Sequence, residues 1–328
     1  MAVFYLFIFI LSSVVLAVAG NWLVRSLSRI AHYFKWQEFI AAFFIMSFAV
    51  SVPELFIGVS AALTGIPELS FGNIIGANII HFTLAISLAA LVLGKLEFEK
   101  ENMRVSVDFT IIFALFPFLL MLDNNLSRGD GVILIASFFI YSIWVFSKKE
   151  RFSEFYMSRK RKDAVHYGYT GSPIKQFRQF INDGGMFIVG IVLLLASAQG
   201  IVSSASFFAG MFHLPLVVVG VFIVGLGTAL PETYFAVASA RRGNGWMVVG
   251  NLLGSTVFTA SFVLGVVALI HPIVITNFSP YIIARIFLIM SAIAFLHFSR
   301  TGRVITSREA LFLLMLYVLF VITQLVVG

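Results

Sequence analysis

Two of the 15 acidic residues stand where an acid is hardest to place: Glu54 and Glu232 each follow a proline inside a long apolar stretch, SFAVSVPEL at 47–55 and GLGTALPET at 225–233. An ionisable side chain at membrane depth costs at least about 2.5 kcal/mol, so such residues call for a compensating role. The prolines add a second cost. Lacking an N–H, Pro53 cannot bond the carbonyl of Ala49, and Pro231 cannot bond that of Gly227. Oxygens freed in this way are tolerated in a membrane only where protein, water or an ion satisfies them. Carboxylates within a turn of free carbonyls form an all-oxygen environment, which suits a hard cation: Ca²⁺ takes six to eight oxygens in flexible geometry, whereas Mg²⁺ demands a tighter octahedron. Two glutamates neutralise one divalent ion.

The two stretches are copies. From Glu54 to Glu232 the offset is 232 − 54 = 178 residues, and the same offset carries GNIIGAN at 72–78 onto GNLLGST at 250–256. A lone Pro–Glu dipeptide is compatible with a kinked helix whose acid is protonated or hydrogen-bonded; two motifs held in register over more than twenty residues point to a paired site. The pairs Gly72/Gly76 and Gly250/Gly254 read first as sites of close helix contact.

The elements that must position these residues are membrane helices. The chain is 60% hydrophobic and 11% charged with mean hydropathy +1.02, a composition too apolar for an ordinary soluble domain. Apolar runs long enough to span a bilayer recur at 3–24, 37–63, 70–94, 105–122, 131–147, 184–206, 212–240, 246–270, 277–298 and 306–327. LAVAGN at the end of the first run resembles a signal cleavage site, but no basic segment precedes it and the run is long, so it is read as a helix. The predicted fold is an all-α polytopic membrane protein of ten transmembrane helices.

If the helices alternate, the connections at 25–36, 95–104, 148–182, 241–245 and 299–308 share one side and hold 20 of the 22 Lys and Arg residues. That side is expected to be cytoplasmic and both termini extracellular, with the protein in the cell membrane. The basic loop 148–182, with RKRK at 159–162, divides the chain into repeats at 1–147 and 183–328. Its charge, like the net +7, is expected to meet anionic lipid headgroups and not nucleic acid. Five spans separate equivalent positions, so the repeats, whose motifs cover 47–81 and 225–259, are inverted, with helices 2 and 7 broken at the prolines. Inverted repeats with interrupted helices are a signature of secondary transporters.

On these residues the sequence resembles the sodium/calcium exchanger family of the calcium:cation antiporters, whose two repeats carry G-T-S-x-P-E and G-N-x-x-G-S-N patterns. The match is strongest in GTALPE and GNLLGS and weaker in AVSVPE and GNIIGA. The resemblance implies Glu54 and Glu232 as central ligands, backbone carbonyls of Val50 and Thr228 in the calcium shell, and hydroxyls of Ser51, Thr228 and Ser255 around sodium. Ala77 and Ala229 replace serines of the pattern. His81 and Thr259 stand where the family places Asn and Asp. Imidazole prefers protons or transition metals to Na⁺, so His81 is the most informative departure.

The reading is therefore an antiporter exchanging Ca²⁺ against Na⁺ without a cofactor. Alternatives are H⁺ coupling through His81 and the glutamates, a transition-metal substrate, or a passive channel or scaffold. With no cysteine, no nucleotide-binding glycine loop followed by Lys, no nucleophile motif on a turn and only one imidazole near the motifs, an enzyme is not expected.

Overall fold

The computed structural model describes residues 1–33, 38–98, 101–147, 173–243, 245–275 and 278–327. The centre of the basic loop, RKRK included, lies outside the described residues. The helices are α1 (Ala2–Tyr33), α2 (Glu38–Leu63), α3 (Pro67–Leu93), α4 (Glu101–Leu120), α5 (Arg128–Ser147), α6 (Pro173–Phe212), α7 (Leu216–Arg241), α8 (residues 245–270), α9 (Phe278–Arg300) and α10 (Ser307–Val327). By length and composition, α1, α3, α6, α7, α8, α9 and α10 are able to cross a membrane among the described residues. Side chains are described in α2 only from Ser51 and in α4 only from Ser106, which leaves shorter apolar stretches there. The protein is a helical, polytopic membrane protein.

Local sequence sets the boundaries. Pro67 opens α3 at a position where its missing N–H costs nothing, Glu68 follows in the first turn, and Gly94 closes the helix at φ +77°. Pro173 likewise opens α6 inside the stretch expected to be loop. Helices 2 and 7, expected to be broken at their prolines, are not: helical backbone runs through Pro53 in α2 and Pro231 in α7. A proline deletes only its own bond, and the ladder resumes after it. Departures from α geometry fall elsewhere, in wider π turns at His81–Ala85 of α3, Gly220–Val224 of α7 and Phe258–Val263 of α8. Such turns occur often at functional sites. The 178-residue offset carries 81–85 onto 259–263, so the first and last of these turns occupy matching positions.

Two antiparallel ties, which an all-α reading does not include, join helix ends. Strand β1 (Lys95–Glu97) pairs with β4 (Val304–Thr306), and β2 (Asn125–Leu126) with β3 (Ile273–Val274). Each tie closes over one buried aliphatic pair, Leu96 opposite Ile305 and Leu126 opposite Ile273. The offset carries 95–97 onto 273–275 and 125–126 onto 303–304, so it exchanges one tie for the other.

Buried side chains form two main bodies. The larger runs through α3, α4, α8, α9 and α10, with Phe82 against Phe295 at 5.4 Å between rings. The smaller joins α1 to α6 through Leu16, Ala19, Leu194 and Ala198, and reaches Val52 of α2 and Val224 of α7. Lipid tails are as apolar as the helices, so association rests on close packing. At the α3–α7 crossing, a Cβ on Gly72 or Gly76 would collide with the carbonyl oxygen of Val217 or Val221, and one on Gly220 with that of Leu69.

Backbone atoms have no rotamer with which to yield. Gly76→Ala is therefore expected to lower the thermal midpoint of the detergent-purified protein by several degrees, an overpacking cost of roughly 1–3 kcal/mol. Gly185→Ala, where a Cβ meets nothing, should leave it unchanged or raise it. Equal midpoints for the two variants, read by fluorescence-detected thermal unfolding, would contradict this crossing.

Candidate functional site

The two proline–glutamate turns meet at the centre of the fold. Glu54 is 1% exposed and Glu232 is fully buried, and their carboxyl groups are neighbours: each acts on the other, and Glu54 also meets the Thr228 hydroxyl. Such proximity of two acids is costly without a counter-charge. The surrounding protein does not supply enough donors, since Glu54 Oε2 and both carboxyl oxygens of Glu232 lack a hydrogen-bond partner. Three acceptor oxygens without a donor thus lie at one place, an arrangement that a cation or protons would satisfy.

Four helices bring oxygen to this junction. Thr228, one turn before Glu232 on α7, is buried and donates its single proton to Asn73 Oδ1 of α3 at 3.0 Å or to the Gly225 carbonyl at 3.3 Å. Ser51, three residues before Glu54 on α2, shares a 2.7 Å hydrogen bond with Ser255 of α8. Val50 lies in α2 one turn before Glu54, with its side chain outside the described set. Next to these, His81 Nδ1 lies 3.1 Å from Thr256 Oγ1, and Thr259 donates to Asn78 Oδ1 at 3.4 Å and to the Thr256 carbonyl at 3.3 Å. The offset maps His81–Thr256 onto Thr259–Asn78. These two bonds are therefore counterparts that stitch α3 to α8.

Sequence reasoning named Glu54, Glu232, Ser51, Thr228, Ser255, His81 and Thr259, and the structure buries them all in the α2, α3, α7 and α8 bundle. It does not gather His81 with both glutamates: among the described residues, no three of His, Asp and Glu converge as a metal would need. His81 Nε2 is buried without a partner. Asn73, Asn78 and Thr256 were not singled out, although they lie inside the duplicated glycine motifs. Asn73 and its offset partner Asn251 each bury an unpartnered Nδ2. The repetition of Asn in G-N-x-x-G is the signal that could have found them.

A cleft reaches the junction between α1 and α6. It is lined by Phe9 and Ser13 of α1, Ile201 of α6, and Pro53, Thr228 and Pro231 of the two turns. One wall thus belongs to the α1–α6 body and the other carries a site hydroxyl.

A sequence profile of the family described as sodium/calcium exchanger protein matches residues 4–147 and 184–326. The chain is 24% identical over 343 residues to the sodium/calcium exchanger MaX1 of Methanosarcina acetivorans, covering 96% of this chain and 97% of that protein. It is 25% identical over 256 residues to the inner membrane protein YrbG of Escherichia coli, covering 76% and 75% of the two chains. Its fold is similar to that of the sodium-calcium exchanger NCX_Mj soaked with 100 mM Na⁺ and 10 mM Sr²⁺, with TM-score 0.62, 23% identity and coverage of 98% and 99%.

The unpartnered acceptors carry a stability consequence. An unsatisfied buried polar group costs about 1–3 kcal/mol, more when charged. The double variant Glu54→Gln/Glu232→Gln, whose amides can bond each other, should in cation-free buffer unfold at or above the wild-type midpoint. A fall of the size seen on breaking a buried ion pair, about 3–5 kcal/mol, would mean that the carboxyls are already satisfied within the protein.

Proposed function

The chain belongs to the sodium/calcium exchanger protein family, and on that premise we propose that it binds Ca²⁺, or a related divalent cation, between Glu54 and Glu232 and exchanges it for Na⁺ by alternating access. The family is one of transporters, not enzymes. The observation that carries the proposal is the meeting of two buried carboxyl groups with three unpartnered oxygens. Glutamates from α2 and α7, with the carbonyls of Val50 and Thr228 and the hydroxyls of Ser51, Thr228 and Ser255, make an oxygen-only donor set of the kind Ca²⁺ prefers. The names of MaX1 and NCX_Mj support the same cations.

In this reading the chain crosses the membrane ten times as two inverted five-helix repeats, 1–147 and 183–328, joined by the loop 148–182. Support comes from the strand ties, the π turns at His81–Ala85 and Phe258–Val263 and the inter-helix hydrogen bonds, which the 178-residue offset exchanges for their counterparts. Substrate then lies at the repeat interface, as in other transporters of this construction. The distribution of lysine and arginine supports a cytoplasmic basic loop beside anionic lipid and both termini outside the cell.

Occupancy neutralises the glutamates and lets the α1–α6 body slide past them. The buried cluster that joins α1 to α6 also takes in side chains of α2, α3 and α7, and the access cleft lies between α1, α6 and the proline turns. Divalent and monovalent cations compete for the same carboxylates, which is what couples their fluxes.

A second reading, H⁺ in place of Na⁺, is favoured by His81, whose Nε2 is buried without a partner beside the site. Calcium uptake into proteoliposomes separates the two. An outward Na⁺ gradient is expected to drive uptake, and Glu54→Gln and Glu232→Gln each to reduce it by at least about 100-fold, the loss of roughly 3 kcal/mol of charged contacts. Uptake driven only by a pH gradient would transfer the coupling role to protons. Net Ca²⁺ current without a counter-ion would make the protein a channel, and undiminished flux in both Gln variants would remove the site assignment.

A further inference from the structure

Resting on the exchange reading above, we infer that the hydrogen bond between Ser60 of α2 and Gln199 of α6 is a one-sided lock, which biases the empty carrier toward the conformation seen here, with the cleft between α1 and α7 open.

The 178-residue offset carries α1 onto α6 and residues 38–63 of α2 onto 216–241 of α7. The α2–α6 and α7–α1 contacts are therefore counterparts, yet they differ in this structure. Helix α6 packs closely along α2, and its Leu194 and Ala198 share a buried cluster with Ile57 and Ala61. Helix α1 meets α7 at few points among the described residues, and the cleft lies in that gap, with Ser13 and Ala17 on one wall and Gly227 and Pro231 on the other. An inverted repeat reaches its opposite state when the halves exchange conformations. In that state α1 closes on α7, α6 withdraws from α2, and the cleft moves to the α2–α6 side.

Ser60 and Gln199 lie across the contact that this exchange breaks. Ser60, six residues beyond Glu54, is buried and donates to Gln199 Oε1 at 2.6 Å. Such a bond between membrane helices is worth about 3- to 20-fold in an equilibrium. Its counterpart in the opposite state cannot form. The offset carries Ser60 onto Ala238 and Gln199 onto Asn21, and a methyl group neither donates nor accepts. One end state thus holds a bond that the other lacks. With the termini outside the cell, as proposed above, Phe9 and Ser13 lie in the outer half of α1, so the favoured state faces outward.

The chain has no cysteine, so a single introduced thiol can report each cleft. Ser13→Cys lines the cleft that is open here. Ile191→Cys is its counterpart on α6, at a residue that packs against the cluster shared with α2 and is uncovered to water only in the opposite state. In nanodiscs, which expose both membrane faces, a water-soluble maleimide without Na⁺ or Ca²⁺ is expected to label the first thiol fast and the second slowly. Adding Ser60→Ala is expected to raise the Ile191→Cys rate by about 3- to 20-fold without raising that of Ser13→Cys. Gln199→Leu should do the same, and the two together no more than either alone, because they remove one interaction. An unchanged Ile191→Cys rate in both variants, or equal rises at the two thiols as general loosening would give, overturns the inference and leaves the exchange reading intact. Absence of Na⁺-driven Ca²⁺ uptake by the wild type in proteoliposomes would overturn both.

Discussion

Two carboxyl groups held together away from water dominate the energetics of this protein. Glu54 Oε2 and both carboxyl oxygens of Glu232 lack the donors that a buried acid ordinarily recruits, and the two groups lie side by side. Buried charge without compensation is among the least favourable arrangements a fold can contain. Here the arrangement is met by rigidity around it: glycine-mediated backbone contact between α3 and α7, hydrogen bonds between α2 and α8 and between α3 and α8, and short strand ties at the helix ends. Under the proposed exchange reading, a cation entering between the two carboxyl groups would relieve this cost, which is the property a carrier needs.

The division into two buried bodies gives that stabilisation something to act on. Glu54, Glu232 and their oxygen-bearing neighbours sit on α2, α3, α7 and α8, whereas α1 and α6 pack chiefly with each other and face the site across a cleft. At one point the α1–α6 contact is as close as the α3–α7 crossing, since a Cβ on Gly200 would collide with the Ser12 hydroxyl. In the proposed exchange cycle, sliding between the bodies would leave the packing within each of them in place.

Much of this was legible in the sequence because the chemistry is local and duplicated. A proline and a glutamate inside an apolar run violate two membrane rules at once, and their recurrence at a fixed offset marks them as a pair. Helix positions followed from apolar run length. What was not legible depends on partners distant in sequence: that Ser51 bonds Ser255, that Thr256 takes His81, and that Asn73 receives Thr228. The strand ties are two or three residues long, too short for alternation to register. The expected breaks at Pro53 and Pro231 were wrong in kind, because a missing N–H does not unwind a helix whose neighbours hold it, and the real irregularities carry no proline at all.

The central claim is that both glutamates share one cation. Anomalous diffraction from crystals soaked in Sr²⁺, a Ca²⁺ surrogate, tests it directly. A single strong peak at the junction of α2 and α7, with oxygens of Glu54 and Glu232 both within about 2.3–2.6 Å or slightly more for the larger ion, is the predicted result. Peaks confined to surface acids, or a junction peak contacting only one of the two glutamates, would contradict it.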